Sequence, residues 1–101
     1  MKPSEADILK IVQTVVGEII EDWHLDVEIT PETQLVADIG FTSMDFIDLF
    51  ASIDTQLRRK IAYEPLLQTP GGNYRADITS GEIASFIWKN YDVEPAALKP
   101  A

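Results

Sequence analysis

The residues most able to take part in a reaction or to bind a ligand lie in one run, Asp38–Leu49, with the sequence DIGFTSMDFIDL. Gly40 permits the backbone conformations that a tight turn requires. Thr42 and Ser43 are both good N-caps for a helix that follows such a turn. A serine in this place presents its hydroxyl at the start of a helix, where free backbone N–H groups suit a phosphate.

The helix predicted over Ser43–Arg58 has two different faces. Met44 and Ile47 fall on a face that also carries the carboxylates of Asp45 and Asp48. An acidic face with exposed apolar residues suits docking to partners that have basic rims and apolar pockets. A wide core stripe with ordinary surface acids explains Ile47 equally well. The main buried stripe is expected at Phe46, Leu49, Phe50, Ile53 and Leu57.

This run resembles the modification site of acyl carrier proteins and related carrier domains, whose pattern is Asp-Leu-Gly-x-Asp-Ser-Leu. The positions that match directly or conservatively are Asp38, Ile39, Gly40, Ser43 and Met44. Thr42 departs from the pattern, because the family usually has aspartate before the serine. The missing charge predicts weaker pairing with a basic modifying enzyme. The resemblance extends from about the first helix to Asn90, and the chain length and acidity agree with it.

The resemblance implies an all-α, four-helix bundle with three long helices and one short one. It also implies that a phosphopantetheinyl transferase moves 4′-phosphopantetheine from coenzyme A to Ser43, and that acyl groups then travel as thioesters on this arm. Acyl-loading and acyl-processing enzymes are the further partners, and the protein itself is not an enzyme. The residues predicted to dock these partners are Thr42, Met44, Asp45, Ile47 and Asp48.

The cargo and the pathway are less well determined than the attachment site. The run Ser43–Asp48 most resembles bacterial carrier proteins of lipid and fatty-acid metabolism, including specialised ones. Thr42 and the long Gln68–Arg75 loop indicate a dedicated pathway, such as the synthesis of a specialised metabolite. An aminoacyl or peptidyl carrier is an alternative, as is an acidic protein-interaction module without a cofactor. Taken alone, Ser43 could also be only a helix cap.

The amino-acid composition argues against several classes of function. The chain has 101 residues, with 17 acidic and 8 basic residues and a net charge of −9. Such a surface repels nucleic acid and favours encounter with basic partners. No cysteine is present, so disulfides and thiolate metal sites are excluded. No apolar run approaches the roughly 20 residues of a membrane span, and we expect a cytoplasmic monomer.

Apolar periodicity predicts the remaining helices of a single domain over residues 1–92. The first helix should begin at Ser4 and end near Asp22, with a close packing contact at Gly17. Pro65 lies in a predicted short helix or turn, and Thr79 with Glu82 forms a capping box for the last helix. Residues 93–101 read as a tail. The predicted buried set is Ile8, Val12, Val15, Leu49, Phe50, Ile53, Ile83, Phe86 and Ile87.

The long connection from His24 to Gly40 should be mostly loop, attached to the core by Leu35, Val36 and Ile39. Its histidine is the only one in the chain. A catalytic pair of His24 with Ser43 lacks a recognisable third group and a nucleophile-elbow pattern. No metal-ligand spacing is evident. The sequence therefore favours binding or carrying over catalysis.

Overall fold

Helices account for the regular structure of the described residues. The computed structural model describes residues 2–25, 27–69 and 71–92, so the predicted tail at 93–101 lies outside the described residues. The described residues contain no sheet, only isolated bridges that pair Gln34 with Thr79 and Gln68 with Tyr74. The predicted all-α class is therefore confirmed. The α-helices are α1 (Glu5–Ile19), α2 (Ser43–Leu57), α3 (Glu64–Leu67) and α4 (Ser80–Asn90).

The first helix begins where the sequence predicts but ends earlier. The Ser4 hydroxyl accepts a hydrogen bond from the Asp7 N–H at 3.1 Å, which caps α1. The helix stops at Ile19, because Ile20 has a ψ of 1°, outside the α region. A separate 3₁₀ turn, Glu21–Trp23, follows. The predicted end near Asp22 was therefore too late.

The core forms where α1 packs against both α2 and α4. Eight members of the predicted buried set are buried: Ile8, Val12, Val15, Leu49, Phe50, Ile53, Ile83 and Ile87. The ninth prediction, Phe86, was wrong, because this side chain is only partly buried. Phe46 and Leu57, predicted in the buried stripe of α2, are also only partly buried. The buried line of α4 runs through Ile83, Ala84 and Ile87, so Phe86 lies at its border.

The connection between α1 and α2 contains a five-residue π-helical turn, Leu35–Ile39. Leu35 and Ile39 are buried, as predicted. Val36 was predicted wrongly, since 38% of it is exposed. Leu35 and Ile39 face the core, whereas Val36 lines a cavity beside the start of α2. The turn therefore belongs to the surroundings of Ser43.

Backbone hydrogen bonds join this connection to the start of α4. The Leu35 N–H donates to the Ile78 carbonyl at 3.1 Å, and the Gly81 N–H donates to the Pro31 carbonyl at 2.8 Å. The close approach at Gly81 leaves almost no space for a side chain. These contacts hold the α1–α2 connection against the segment before α4.

Two further observations bear on the sequence predictions. The close packing contact predicted at Gly17 is wrong, because nothing lies within 4 Å of the position that a Cβ would take there. None of the helices in the described part of the chain is both long enough and apolar enough to cross a membrane.

Candidate functional site

The turn before α2 depends on Gly40. This residue has a φ of 96°, a conformation that residues with a Cβ rarely adopt. Its N–H donates to the carbonyls of Leu35 at 3.1 Å and Val36 at 2.9 Å, which closes the π-helical turn. The chain then passes through Phe41, whose side chain is buried, and enters α2. Gly40 thus sets the direction in which α2 leaves the core.

Thr42, and not Ser43, caps α2. The Thr42 Oγ1 accepts a hydrogen bond from the Asp45 N–H at 3.4 Å. In return the Asp45 carboxylate accepts from the Thr42 N–H at 2.8 Å and from the Thr42 hydroxyl at 2.9 Å. This reciprocal pair is a capping box. The sequence offered two candidate caps, and the reading of Ser43 as the N-cap of α2 is therefore wrong.

Ser43 is the first residue of α2 and is exposed to solvent. Among the described residues, no side-chain hydrogen bond engages its hydroxyl, and Thr42 supplies the cap. The first N–H groups of α2 lie beside it, and such groups have no acceptor within their own helix. Ser43 therefore presents a hydroxyl that can be modified without loss of the cap.

The predicted docking residues lie around Ser43. Met44 is 66% exposed and Ile47 is 61% exposed, so the wide core stripe does not explain Ile47. Asp48 is also exposed, whereas Asp45 is only partly so and uses its carboxylate for the capping box. The free acidic group on this face is therefore Asp48. The Asp45 carboxylate stabilises the start of α2 by accepting hydrogen bonds from Thr42.

A cavity of about 510 Å³ opens beside Ser43. One wall is α2, and the opposite wall is the segment before α4 together with Leu67 of α3. A long apolar group attached at Ser43 would meet this cavity first. The lining residues include Val36, Phe41, Thr42, Ser43, Phe46, Ile47, Phe50, Leu67, Tyr74, Arg75, Ala76, Asp77 and Ile78.

Asp77 fixes one edge of this cavity. Its carboxylate accepts hydrogen bonds from the N–H groups of Val36 and Ala37, both at 2.9 Å, and from the Ile78 N–H at 2.8 Å. Partial desolvation acts to raise the pKa of Asp77, but these three N–H groups and the positive charge of Arg75 lower it overall. Asp77 thus holds the π-helical turn in place as a carboxylate.

Arg75 also has a structural role. Its guanidinium forms a salt bridge with Glu82, whose other carboxylate oxygen accepts from the Thr79 N–H at 3.0 Å. Desolvation acts to raise the pKa of Glu82, but the Thr79 N–H and Arg75 lower it overall. The Glu82 N–H in turn donates to the Thr79 hydroxyl at 3.1 Å, which completes the capping box predicted for α4. The positive charge in the cavity wall is therefore balanced by neighbouring carboxylates.

The predicted loop at Gln68–Arg75 forms a small hairpin. The Thr69 N–H donates to the Asn73 carbonyl at 2.7 Å, and the Arg75 N–H donates to the Leu67 carbonyl at 2.8 Å. Tyr74 lies in the isolated bridge to Gln68, and 79% of Tyr74 is exposed. The hairpin therefore holds an aromatic side chain at the cavity with its ring mostly in solvent.

A row of aromatic rings passes from the cavity into the core. Phe41 and Phe46 meet edge to face, with ring centroids 5.3 Å apart, and Phe50 follows Phe46 at 6.1 Å. Tyr63 stacks on Phe50 at 4.1 Å and donates its hydroxyl hydrogen to Asp54 at 2.8 Å. Burial is the main reason that the pKa values of both Asp54 and Tyr63 are raised. The row makes the wall on the α2 side both apolar and aromatic.

No protein-family model, curated protein or solved structure matches this chain. The function must therefore be inferred from the site itself. Its principal features are the exposed Ser43, the cap supplied by Thr42 and the adjoining apolar cavity.

The enzymatic alternatives gain no support from the site geometry. His24 is exposed and ends the 3₁₀ turn with a φ of 57°. No hydrogen bond joins it to Ser43 in the part of the chain that the structure describes. Among those same residues, no group of three or more histidine or carboxylate side chains is placed to hold a metal ion.

Sequence reasoning missed one part of the site. It predicted a loop at Gln68–Arg75, but it did not indicate that residues 74–78 form a wall of the cavity beside Ser43. The exposed aromatic residue Tyr74 beside two glycines was the one available signal.

Proposed function

We propose that this protein is an acyl carrier protein whose Ser43 hydroxyl is the attachment point of 4′-phosphopantetheine. The observation that carries the proposal is the position of Ser43: it is exposed at the start of α2, released from capping by Thr42, and next to an apolar cavity. Three long helices and one short one agree with the carrier bundle that the motif implies.

The residues around Ser43 fit this group. A phosphodiester on the hydroxyl would lie beside the first N–H groups of α2, where the helix dipole favours negative charge. The family usually has aspartate where this chain has Thr42. Aspartate and threonine are both good N-caps, so Thr42 preserves the helix start and changes only the charge presented to the modifying enzyme.

Modification is a simple group transfer. The Ser43 oxygen forms a bond to the phosphorus that bears pantetheine in coenzyme A. The phosphoanhydride bond breaks, adenosine 3′,5′-bisphosphate leaves, and the hydroxyl proton passes to a base of the transferase. Once attached, the arm supplies a terminal thiol that holds an acyl group as a thioester, which gives thiol chemistry to a protein without cysteine.

An acyl cargo is favoured over an amino acid by the cavity lining. An acyl chain gains about 0.8 kcal/mol for each buried CH₂ group. An aminoacyl group carries an ammonium that loses hydration in an apolar cavity. An aminoacyl cargo would therefore not occupy this cavity.

The proposal is tested by intact mass measurement after incubation with coenzyme A and a broad-specificity phosphopantetheinyl transferase. We expect the wild type to gain one phosphopantetheinyl group and Ser43→Ala to gain none. Ser52→Ala removes another exposed hydroxyl on α2, so this control should be modified like the wild type. A wild type that stays unmodified with several transferases would favour the acidic interaction module without a cofactor.

Docking of the transferase and of the acyl-processing enzymes is assigned to the face that carries Met44, Ile47 and Asp48. We expect Asp48→Lys to slow modification about 3- to 10-fold at low ionic strength, because exposed charges steer association. The effect should shrink at high salt.

A charge-matched control separates this face from net charge. Glu18→Lys changes an exposed acid on α1 and alters the net charge equally. We expect it to reduce the modification rate less than Asp48→Lys does. Equal rates for the two variants in stopped-flow or quenched-flow assays would remove Asp48 from the proposed docking face.

A further inference from the structure

Four aromatic side chains line the cavity beside Ser43. Phe41, Phe46 and Phe50 contribute from the α2 side, and Tyr74 contributes from the hairpin across the opening. The three phenylalanines already contact one another at centroid distances of 5.3 and 6.1 Å. Aromatic pairs prefer separations of about 4.5–7 Å in offset or edge-to-face arrangements. Phe46 is the partly exposed ring of the three, so it is the one that a further ring in the cavity would contact.

Tyr74 is the member of this group without a ring partner among the described residues. Its backbone is held in the bridge to Gln68, yet 79% of Tyr74 is exposed. Tyr74 thus contributes little to the core of the free protein. A planar apolar group placed in the cavity would cover its ring.

The charges around the cavity disfavour a cargo that ends in an anionic group such as a carboxylate. Arg75 is the cationic side chain among the lining residues that the structure describes, and it is paired with Glu82 and lies near Asp77. A carboxylate entering the cavity would meet no free positive charge. A neutral group matches the lining better.

We propose that the acyl cargo of this carrier bears a neutral aromatic ring, which is bound between Phe46 on the α2 side and Tyr74. The inference rests on the proposed attachment of the arm to Ser43. Apolar burial alone would serve an aliphatic chain equally well. Ring-to-ring contact adds to that burial only when the cargo is aromatic.

The test compares two cargoes with the same number of carbon atoms. The transferase loads Ser43 from 3-phenylpropanoyl-coenzyme A or from 3-cyclohexylpropanoyl-coenzyme A, and intact mass verifies each product. We expect the unfolding equilibrium constant at a fixed urea concentration to be about 2- to 10-fold lower for the phenyl form than for the cyclohexyl form. Ring-current shifts in the NMR signals of Phe46 and Tyr74 should accompany the phenyl cargo.

Tyr74→Leu keeps an apolar side chain but removes the ring. Because Tyr74 is mostly exposed, this variant should fold and be loaded normally, and the advantage of the phenyl cargo should fall about twofold. Normal loading with equal stability for the two cargoes would overturn the aromatic-cargo inference alone. The absence of any mass gain would overturn both this inference and the proposed carrier function.

Discussion

Replacing Leu49 with alanine is expected to lower the free energy of unfolding by about 2–5 kcal/mol. Leu49 lies on α2 with none of its surface exposed, and it belongs to the cluster of apolar residues between the helices. The substitution removes buried methyl groups and leaves a cavity that tight packing cannot fully close. Domains of this size are stable by only about 5–15 kcal/mol, so the loss would be a large fraction of the total.

Ile47→Ala is the matched control for this prediction. Ile47 lies two residues earlier on the same helix but is 61% exposed, so we expect a change within about 0.5 kcal/mol. Urea unfolding followed by far-UV circular dichroism measures both variants. Similar losses for Leu49→Ala and Ile47→Ala would contradict the orientation of α2 described above.

The helices and most of the core were predictable because they depend on local patterns. Ile8, Val12 and Val15 recur at helical spacing, and such a stripe is stable only when it faces a core. The caps at Ser4 and Thr79 require contacts within three residues along the chain. Interactions between residues so close along the chain can be predicted from the sequence.

Features that depend on distant partners were missed. The π-helical turn at Leu35–Ile39 is held by the Asp77 carboxylate, about 40 residues further along the chain. The sequence indicated a loop there because its local composition has no helical period. Val36 was misplaced for the same reason, since its exposure follows from this turn. Long-range polar contacts therefore set the limit of the prediction.

The sequence identified Ser43 and the acidic helix start as candidates, but it did not distinguish Thr42 from Ser43 as the N-cap of α2. The capping box of Thr42 with Asp45 separates their roles. The cavity was not predictable in detail, because its wall combines α2 with a hairpin about 30 residues away. Its aromatic lining arises only when those segments meet.

The contact between the α1–α2 connection and α4 leads to the second large expected effect. A Cβ at Gly81 would lie 2.8 Å from the backbone oxygen of Pro31 and 3.3 Å from the Pro31 Cβ. The first of these atoms is backbone, so the connection must shift to admit a methyl group. The same oxygen accepts the hydrogen bond of the Gly81 N–H, and the shift would distort that bond as well.

Gly81→Ala is therefore expected to lower the free energy of unfolding by about 1–3 kcal/mol, although alanine favours helix more than glycine does. Gly17→Ala makes the identical chemical change inside α1, where nothing lies within 4 Å of the new Cβ. It should raise the free energy of unfolding by up to about 1 kcal/mol. Urea unfolding should therefore show changes of opposite sign in the free energy of unfolding for the two variants. A stabilising Gly81→Ala would show that the connection is not held against α4 as described.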